Sequence, residues 1–387
     1  MKMKIAAMRL PIFLALLAIA KTQLSQNHFY KKLNVINEER RIISSLVVPS
    51  LINTPYPGVV NYTLYETARL GLLISNANSI MPEFGPVLNA VTSFNYPITI
   101  KRCGDIEQRR QSTFIAVISA ADNFEKREKI RQTWKSHIDF VRKFKLFNIQ
   151  FSFILGQSED AFTQRKIQEE SITHEDIIQI DRLDTHRNLP LKMAGLFNWV
   201  NTNCPKHDFL LKLDDDMYLN VNVLANFVNT YRQLGKMTIF GQSQRTGYPF
   251  INNWGPQRSG MHEIALEEWP WNTYPNYVNG PAYLIHQTAI LPLLAAIQTT
   301  PIMPFEDIYI TGICSEKAGV VTQYSSGYNS LITGPTPRNE CDLDKFLTWK
   351  SSTGGLSHKD VDNFYRVTLP CKPRGSQFSF RNDMSVF

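Results

Sequence analysis

An α/β fold, a sheet with helices on both faces, is what this 387-residue chain predicts, on three observations. From Ser112 onward, short apolar runs alternate with charged or amphipathic stretches of helical length, the order that builds strand–helix–strand units. The run Phe209–Leu213 ends abruptly in Asp214, Asp215 and Asp216, and sheets of this kind bind ligands beyond the carboxyl ends of their strands. Hydrophobic residues make up 43% of the chain, enough for a substantial core in one large domain or two smaller ones.

The elements follow in order. Residues 1–20 carry basic residues and then an apolar stretch from Ile5 to Ala20, broken by Arg9. This reads as a signal peptide or a short signal anchor that delivers the rest to the secretory lumen, although Leu10–Ala20 is short of the ~20 residues a spanning helix needs. The sequon Asn61-Tyr62-Thr63 suits that compartment. Residues 21–110 are polar and aperiodic and read as a stem, with a short helix over Leu64–Ile74.

An α/β domain is expected over 111–332. Its strands are Phe114–Ser119, Ile149–Gly156, Asp176–Ile180, the run into the three Asp, and Thr238–Gly241. Helices are expected over Asp122–His137, Ser158–Glu170, Asn188–Asn201, Val221–Leu234, Gln287–Gln298 and Glu306–Lys317. Gly241–Gly280 reads as irregular, and 333–387 as an extension of unassigned role. Five cysteines without a CxxC fit no zinc ribbon, and their odd number leaves at least one outside any intrachain pair. The net charge of +7 is diffuse and accompanies no nucleic-acid motif. It suits a basic surface facing water, a membrane or an anionic nucleotide, and nucleic acid is not expected as a partner.

The acidic triplet carries the chemistry. Two carboxylates about 4 Å apart repel by about 4 kcal/mol at an effective dielectric near 20, a cost that a bound cation removes. The donors are hard oxygens with no His or Cys beside them, so Mn²⁺ or Mg²⁺ is favoured over zinc, and a solvated acidic turn is the plain alternative. Arg127 and Arg131 share a helix face, where they suit a diphosphate or a nucleobase edge, or simply solvate the helix. Asp184 and Lys192 bracket a segment that follows the third strand, with Asn188 between them as a possible helix cap. Glu306 and Asp307 open a helix, either as dipole complements or as a general base. Trp254, Trp269 and Trp271 offer aromatic faces that either line a binding site or pack a core. No HExxH or GxSxG is present.

Six blocks in this order resemble the inverting β-1,3-glycosyltransferases of glycosyltransferase family 31, which include β-1,3-galactosyltransferases and β-1,3-N-acetylglucosaminyltransferases. They are Arg127–Trp134, Phe153–Gly156, Asp181–Lys192, Cys204–Asn220, Tyr274–Ile285 and Glu306–Cys314. The resemblance implies a GT-A type fold with a mixed central sheet, a UDP-sugar donor, Mn²⁺ (or Mg²⁺), and single-pass type II topology in the Golgi membrane with the catalytic domain luminal. It implies that Asp216, with Asp214, holds the metal. Asp214 and Asp215 would also meet the donor, Arg127, Arg131, Asp184 and Lys192 would lie on the nucleotide side, and Asp307, beside Glu306, would be the base. The acceptor would be a glycan on protein or lipid. The family's usual DSYxNLTLK is altered here at Thr185, His186 and Pro190, and its Cys-Ser-Gly-Gly at 278–282. Those departures bear on which sugars are used, and they keep in view a catalytically silent luminal carbohydrate-binding or scaffold protein.

Overall fold

The structure, a computed structural model, describes residues 48–72, 75, 77–104, 111–143, 147–244, 255–260, 262–324, 330–331 and 346–350. The expected leader at 1–20 lies outside these. Among the described residues no helix is long and apolar enough to cross a membrane. The chain divides into two compact units, one of Met1–Leu73 with Asn253–Tyr274 and one of Ile74–Asn252 with Pro275–Phe387.

The smaller unit is built on helix α1 (Val59–Leu70), which ends on Gly71 in the left-handed conformation (φ 57°), where an L side chain would be strained. The helix lies five residues before the one expected at Leu64. Tyr62 on α1 is buried against Trp269 and Trp271, ring centroids 5.6 and 6.2 Å away, and Tyr56 stacks on Trp269 at 5.6 Å. Both tryptophans are at most 2% exposed. They are core, not a binding platform, because Tyr56, Tyr62, Tyr65 and Tyr274 pack against their rings. Trp254 lies outside the described residues. Asn61 is exposed on the first turn of α1.

The larger unit holds a seven-stranded sheet in the order β3-β2-β1-β4-β7-β6-β8. The strands are β1 (Ser112–Ile118), β2 (Asn148–Gln157), β3 (Ile177–Leu183), β4 (Phe209–Asp214), β6 (Thr238–Gln244), β7 (Tyr277–His286) and β8 (Val321–Tyr324). The first four listed run parallel, β7 is antiparallel to β4 and β6, and β6 is parallel to β8. This is the mixed α/β, GT-A-like arrangement that the resemblance implies. A second sheet, β5-β10-β9, joins β5 (Met217–Leu219), β9 (Ser330–Leu331) and β10 (Phe346–Lys350). Thus β10 gives part of the unassigned 333–387 extension a place, beside the strand that follows the acidic triplet.

Alternation along the strands sets the layers. Ile115, Val117, Phe153, Leu155, Leu211 and Leu213 point into one core with residues of α2 (Phe124–Gln132), α3 (Trp134–Lys143) and α6 (Val221–Tyr231). Phe114 points to the other face and meets Trp199 of α5 (Leu189–Asn203) at 5.5 Å. α4 (Ala161–His174) begins on Asp160, whose side chain accepts from Thr163 N. The single helix expected over Asp122–His137 is two, broken at Thr133 (φ −111°, ψ −115°). Gly241–Gly280, expected to be irregular, contains the start of β7. Its Asn279, Gly280 and Pro281 hide the strand pattern that register with β4 and β6 nevertheless imposes.

The stem boundary also moves. Residues 77–104 dock on this unit. Leu88 N and Asn89 N donate to Gln298 O of α7 (Gln287–Gln298), Gln179 N donates to Ile98 O, and Tyr96 Oη donates to Gly195 O. Cys103 and Cys204 form a disulfide, Cys314 is a buried free thiol, and Cys341 and Cys371 lie outside the described residues.

Candidate active site

Sequence alternation places Lys212 and Asp214 on one side of β4, opposite Leu211 and Leu213. Lys212 is 1% exposed, and its ammonium donates to Asp214 Oδ1 and to Gly280 O of β7, with Glu306 Oε2 at 3.9 Å. Glu306 opens the turn after Phe305, and Tyr283 of β7 donates a short hydrogen bond to its Oε1. Next to it, Asp307 Oδ2 accepts from Gly280 N (3.1 Å) and Oδ1 from its own following amide, Ile308 N (2.9 Å). The approach of strand and carboxylate is close: a Cβ on Gly280 would lie 3.3 Å from Asp307 Oδ2. Beyond Asp307 the chain winds as a buried π-helix, Ile308–Cys314. Thr311 Oγ1 donates to Asp307 O (2.6 Å) and accepts from Val278 N (2.8 Å), tying that helix to β7.

The electrostatics follow from burial. Burial pushes the Glu306 carboxyl up to about 7, with Asp307 and Asp214 adding to the rise and Lys212 and the Tyr283 hydroxyl opposing it. Burial also raises Asp307, against the pull of the Ile308 and Gly280 amides and Lys212. Burial disfavours the charge on Lys212, but Asp214 and Glu306 outweigh it and raise the group, so it stays an ammonium.

The remaining predicted residues gather near the ends of β1, β3 and β4, with Lys192 reaching in from α5. Asp215 is buried and accepts from Ser119 Oγ (2.9 Å), Asn123 Nδ2 (2.6 Å) and Lys126 Nζ (2.9 Å). Lys192, 4% exposed, donates to Asp184 Oδ1 (2.6 Å) and Ser119 O (3.2 Å), and Asp184 Oδ2 accepts from Gly156 N (2.9 Å). Gly156 is required there, since a Cβ would come within 2.6 Å of Arg182 O.

Arg127 and Arg131 depart from the expectation of nucleotide contact. Arg127 is fully buried, paired with Glu170 (2.7 Å) and donating to Ala120 O (2.7 Å), Ala121 O (3.2 Å) and Ser119 Oγ (3.1 Å). Arg131 pairs with Glu170 and Asp176, each at 2.8 Å. A charged side chain taken out of water must be met by carboxylates and carbonyls, so their forks are already used. They hold the 119–121 backbone, which in turn carries partners of Asp215 and Lys192. The bonds of Asn188 likewise differ from those of a cap: its side chain donates to Leu183 O.

Sequence reasoning named Asp214, Asp215, Asp216, Asp184, Lys192, Glu306 and Asp307, and the structure joins the acidic strand end to Glu306-Asp307 through Lys212. Lys212, Tyr283, Gly280 and Glu170 escaped it. A lone lysine inside the apolar run at Phe209, two residues before Asp214, was the readable signal for the first; Glu170 gave none, being one charge among many on a surface-facing helix. For a divalent cation, the triplet offers oxygen donors only, with Asp214 38% exposed and Asp216 half-buried. That donor chemistry fits Mn²⁺ or Mg²⁺.

A family model described as Galactosyltransferase matches residues 125–325, which span α2 to β8. A lactosylceramide 1,3-N-acetyl-beta-D-glucosaminyltransferase A of Xenopus laevis is 31% identical over 257 residues, 65% of this chain and 65% of that protein. The Homo sapiens lactosylceramide 1,3-N-acetyl-beta-D-glucosaminyltransferase is 30% identical, covering 61% of this chain and 65% of that one. A UDP-GalNAc:beta-1,3-N-acetylgalactosaminyltransferase 1 of Mus spicilegus is 25% identical, covering 71% and 80%. The chain spans a little under two thirds of the length of the first two of these.

Proposed function

Because the chain belongs to the galactosyltransferase family, we propose that it is an inverting hexosyltransferase that moves galactose or N-acetylglucosamine from a UDP-sugar to a hydroxyl of a glycan acceptor in β-1,3 linkage. The observation that carries this reading is the meeting of the acidic strand end and Glu306-Asp307 around one buried ammonium. Asp307 takes the proton from the acceptor hydroxyl as that oxygen bonds to the anomeric carbon, and the bond to UDP breaks on the opposite face. Gly280 N and Ile308 N hold the carboxylate for that transfer, and its burial-raised affinity for protons makes it a stronger base than a solvated Asp. Asp216 and Asp214 would hold Mn²⁺ or Mg²⁺, which would supply Lewis-acid neutralisation of the departing diphosphate. Asp215, Asp184 and Lys192 border the nucleotide side.

The expected leader supports a type II Golgi membrane protein with this domain luminal, anchored through residues 1–20. UDP release, measured with a panel of UDP-sugars, Mn²⁺ and simple β-linked acceptors, tests the function directly. Release that depends on both acceptor and metal is expected. Silence across the panel with retained glycan binding would leave the carbohydrate-binding reading instead.

A further inference from the structure

Three carboxylates converge where β4, β7 and the π-helix meet, and one cation stands among them. Lys212 reaches Asp214 Oδ1 and Gly280 O as a donor and lies 3.9 Å from Glu306 Oε2. Gly280, whose carbonyl it holds, presents its amide to Asp307 Oδ2 at 3.1 Å. Glu306 is fixed from its other oxygen by Tyr283, itself fully buried. One ammonium therefore fixes the donor-side carboxylate, the strand segment that grips the base, and the acid beside the base.

We propose that Lys212 is a positioning residue that balances the surplus carboxylate charge at this junction and so sets Asp307 and Asp214 in one register for transfer. The inference deepens the transferase reading and rests on it for its kinetic consequence, but its charge-balance part is a property of the folded chain alone. A lysine isostere without charge leaves Asp214, Glu306 and Asp307 facing one another in a low-dielectric site. Removing one partner of such a buried ion cluster is strongly destabilising, and removing a second, opposite charge relieves it.

The test is a double-mutant cycle of Lys212→Met and Glu306→Gln on the full chain, melted at pH 8 without ligand. Lys212→Met is expected to lower Tm by about 10 °C. Adding Glu306→Gln should restore at least half of that loss, whereas a lysine that merely fills space gives losses that add, which would overturn the proposal. If Lys212→Met does not fold alone, recovery of a folded chain in the double variant is the same result in stronger form; failure of both overturns the charge balance. With whichever UDP-sugar the wild-type chain turns over, the single variant should lose about 100-fold in kcat, with less than tenfold weakening of UDP binding in Mn²⁺. The double variant should regain at least fivefold of that loss. An unchanged kcat in folded Lys212→Met removes the positioning role. A wild-type chain that turns over no donor sinks the transferase reading, and the melting cycle still decides this inference.

Discussion

Two charged regions lie side by side in the larger unit and are built on opposite terms. Around the ends of β1 to β4, four cations, Lys126, Arg127, Arg131 and Lys192, meet five carboxylates, Asp215, Glu128, Glu170, Asp176 and Asp184, of which Glu128 lies farthest from its partner at 3.7 Å. At the junction of β4 and β7, Lys212 meets Asp214 and Glu306, with Asp307 adjacent. This near-balanced network consumes its cations internally, and its Arg127–Glu170–Arg131 part is a scaffold beneath Asp215, Asp184 and Lys192. The unbalanced one holds carboxylates at raised proton affinity beside the acidic triplet, where perturbed groups and chemistry tend to coincide. Balance, more than the presence of charge, separates support from function here.

Asp307→Asn strikes the unbalanced region hardest. Transfer should fall about 10³-fold while UDP binding in Mn²⁺ persists, measured by UDP release and calorimetry; a wild-type rate would remove Asp307 as the base. Glu170→Gln strikes the balanced region. It strips a partner from both arginines and should cost about 3 kcal/mol of stability in denaturant melts, with transfer per folded molecule changing less than threefold. A large kinetic loss there would erase the contrast. Gly280→Ala sets a methyl 3.3 Å from Asp307 Oδ2, and the small displacement should cost about tenfold in kcat with little change in Tm.

The smallest effect is on pH dependence. Glu306 has an ordinary value of 4.5 and is held near 7 in the folded chain by burial. Between those values the folded state keeps a proton that the unfolded state has released. Its contribution is therefore fully present below 4.5 and lost as pH rises to about 7. Glu306→Gln cannot ionise, so its Tm should fall less steeply than wild type across that window. An unchanged slope would place the charge imbalance elsewhere.

What was legible in the sequence was local. The triplet announces itself because three adjacent carboxylates after an apolar run admit few readings, and Glu306-Asp307 because a helix start is visible from its own residues. Strands β1 to β4 carry short, mostly apolar runs. The partners of the arginines were not legible, because Glu170 and Asp176 stand about forty-five residues away on α4 and at the start of β3. Lys212 was visible only as an oddity, since its meaning lies in Gly280 and Glu306, brought near by the antiparallel insertion of β7. The docking of residues 77–104 left no trace of period because it uses single backbone and side-chain bonds to α7 and β3. The tryptophans had two readings of equal weight, and only their neighbours decided between them.

The seven-residue π-helix that follows Asp307 has a consequence for how this region tolerates change. A wide turn of this kind carries one residue more than the α-helical count, and all seven of its residues are buried. In an ordinary α-helix one added residue would swing the turn before it by about 100°; the wide turn absorbs that residue locally. Asp307 thus stays aimed at the Gly280 amide. Length at this point, and not composition alone, is what keeps the carboxylate on target.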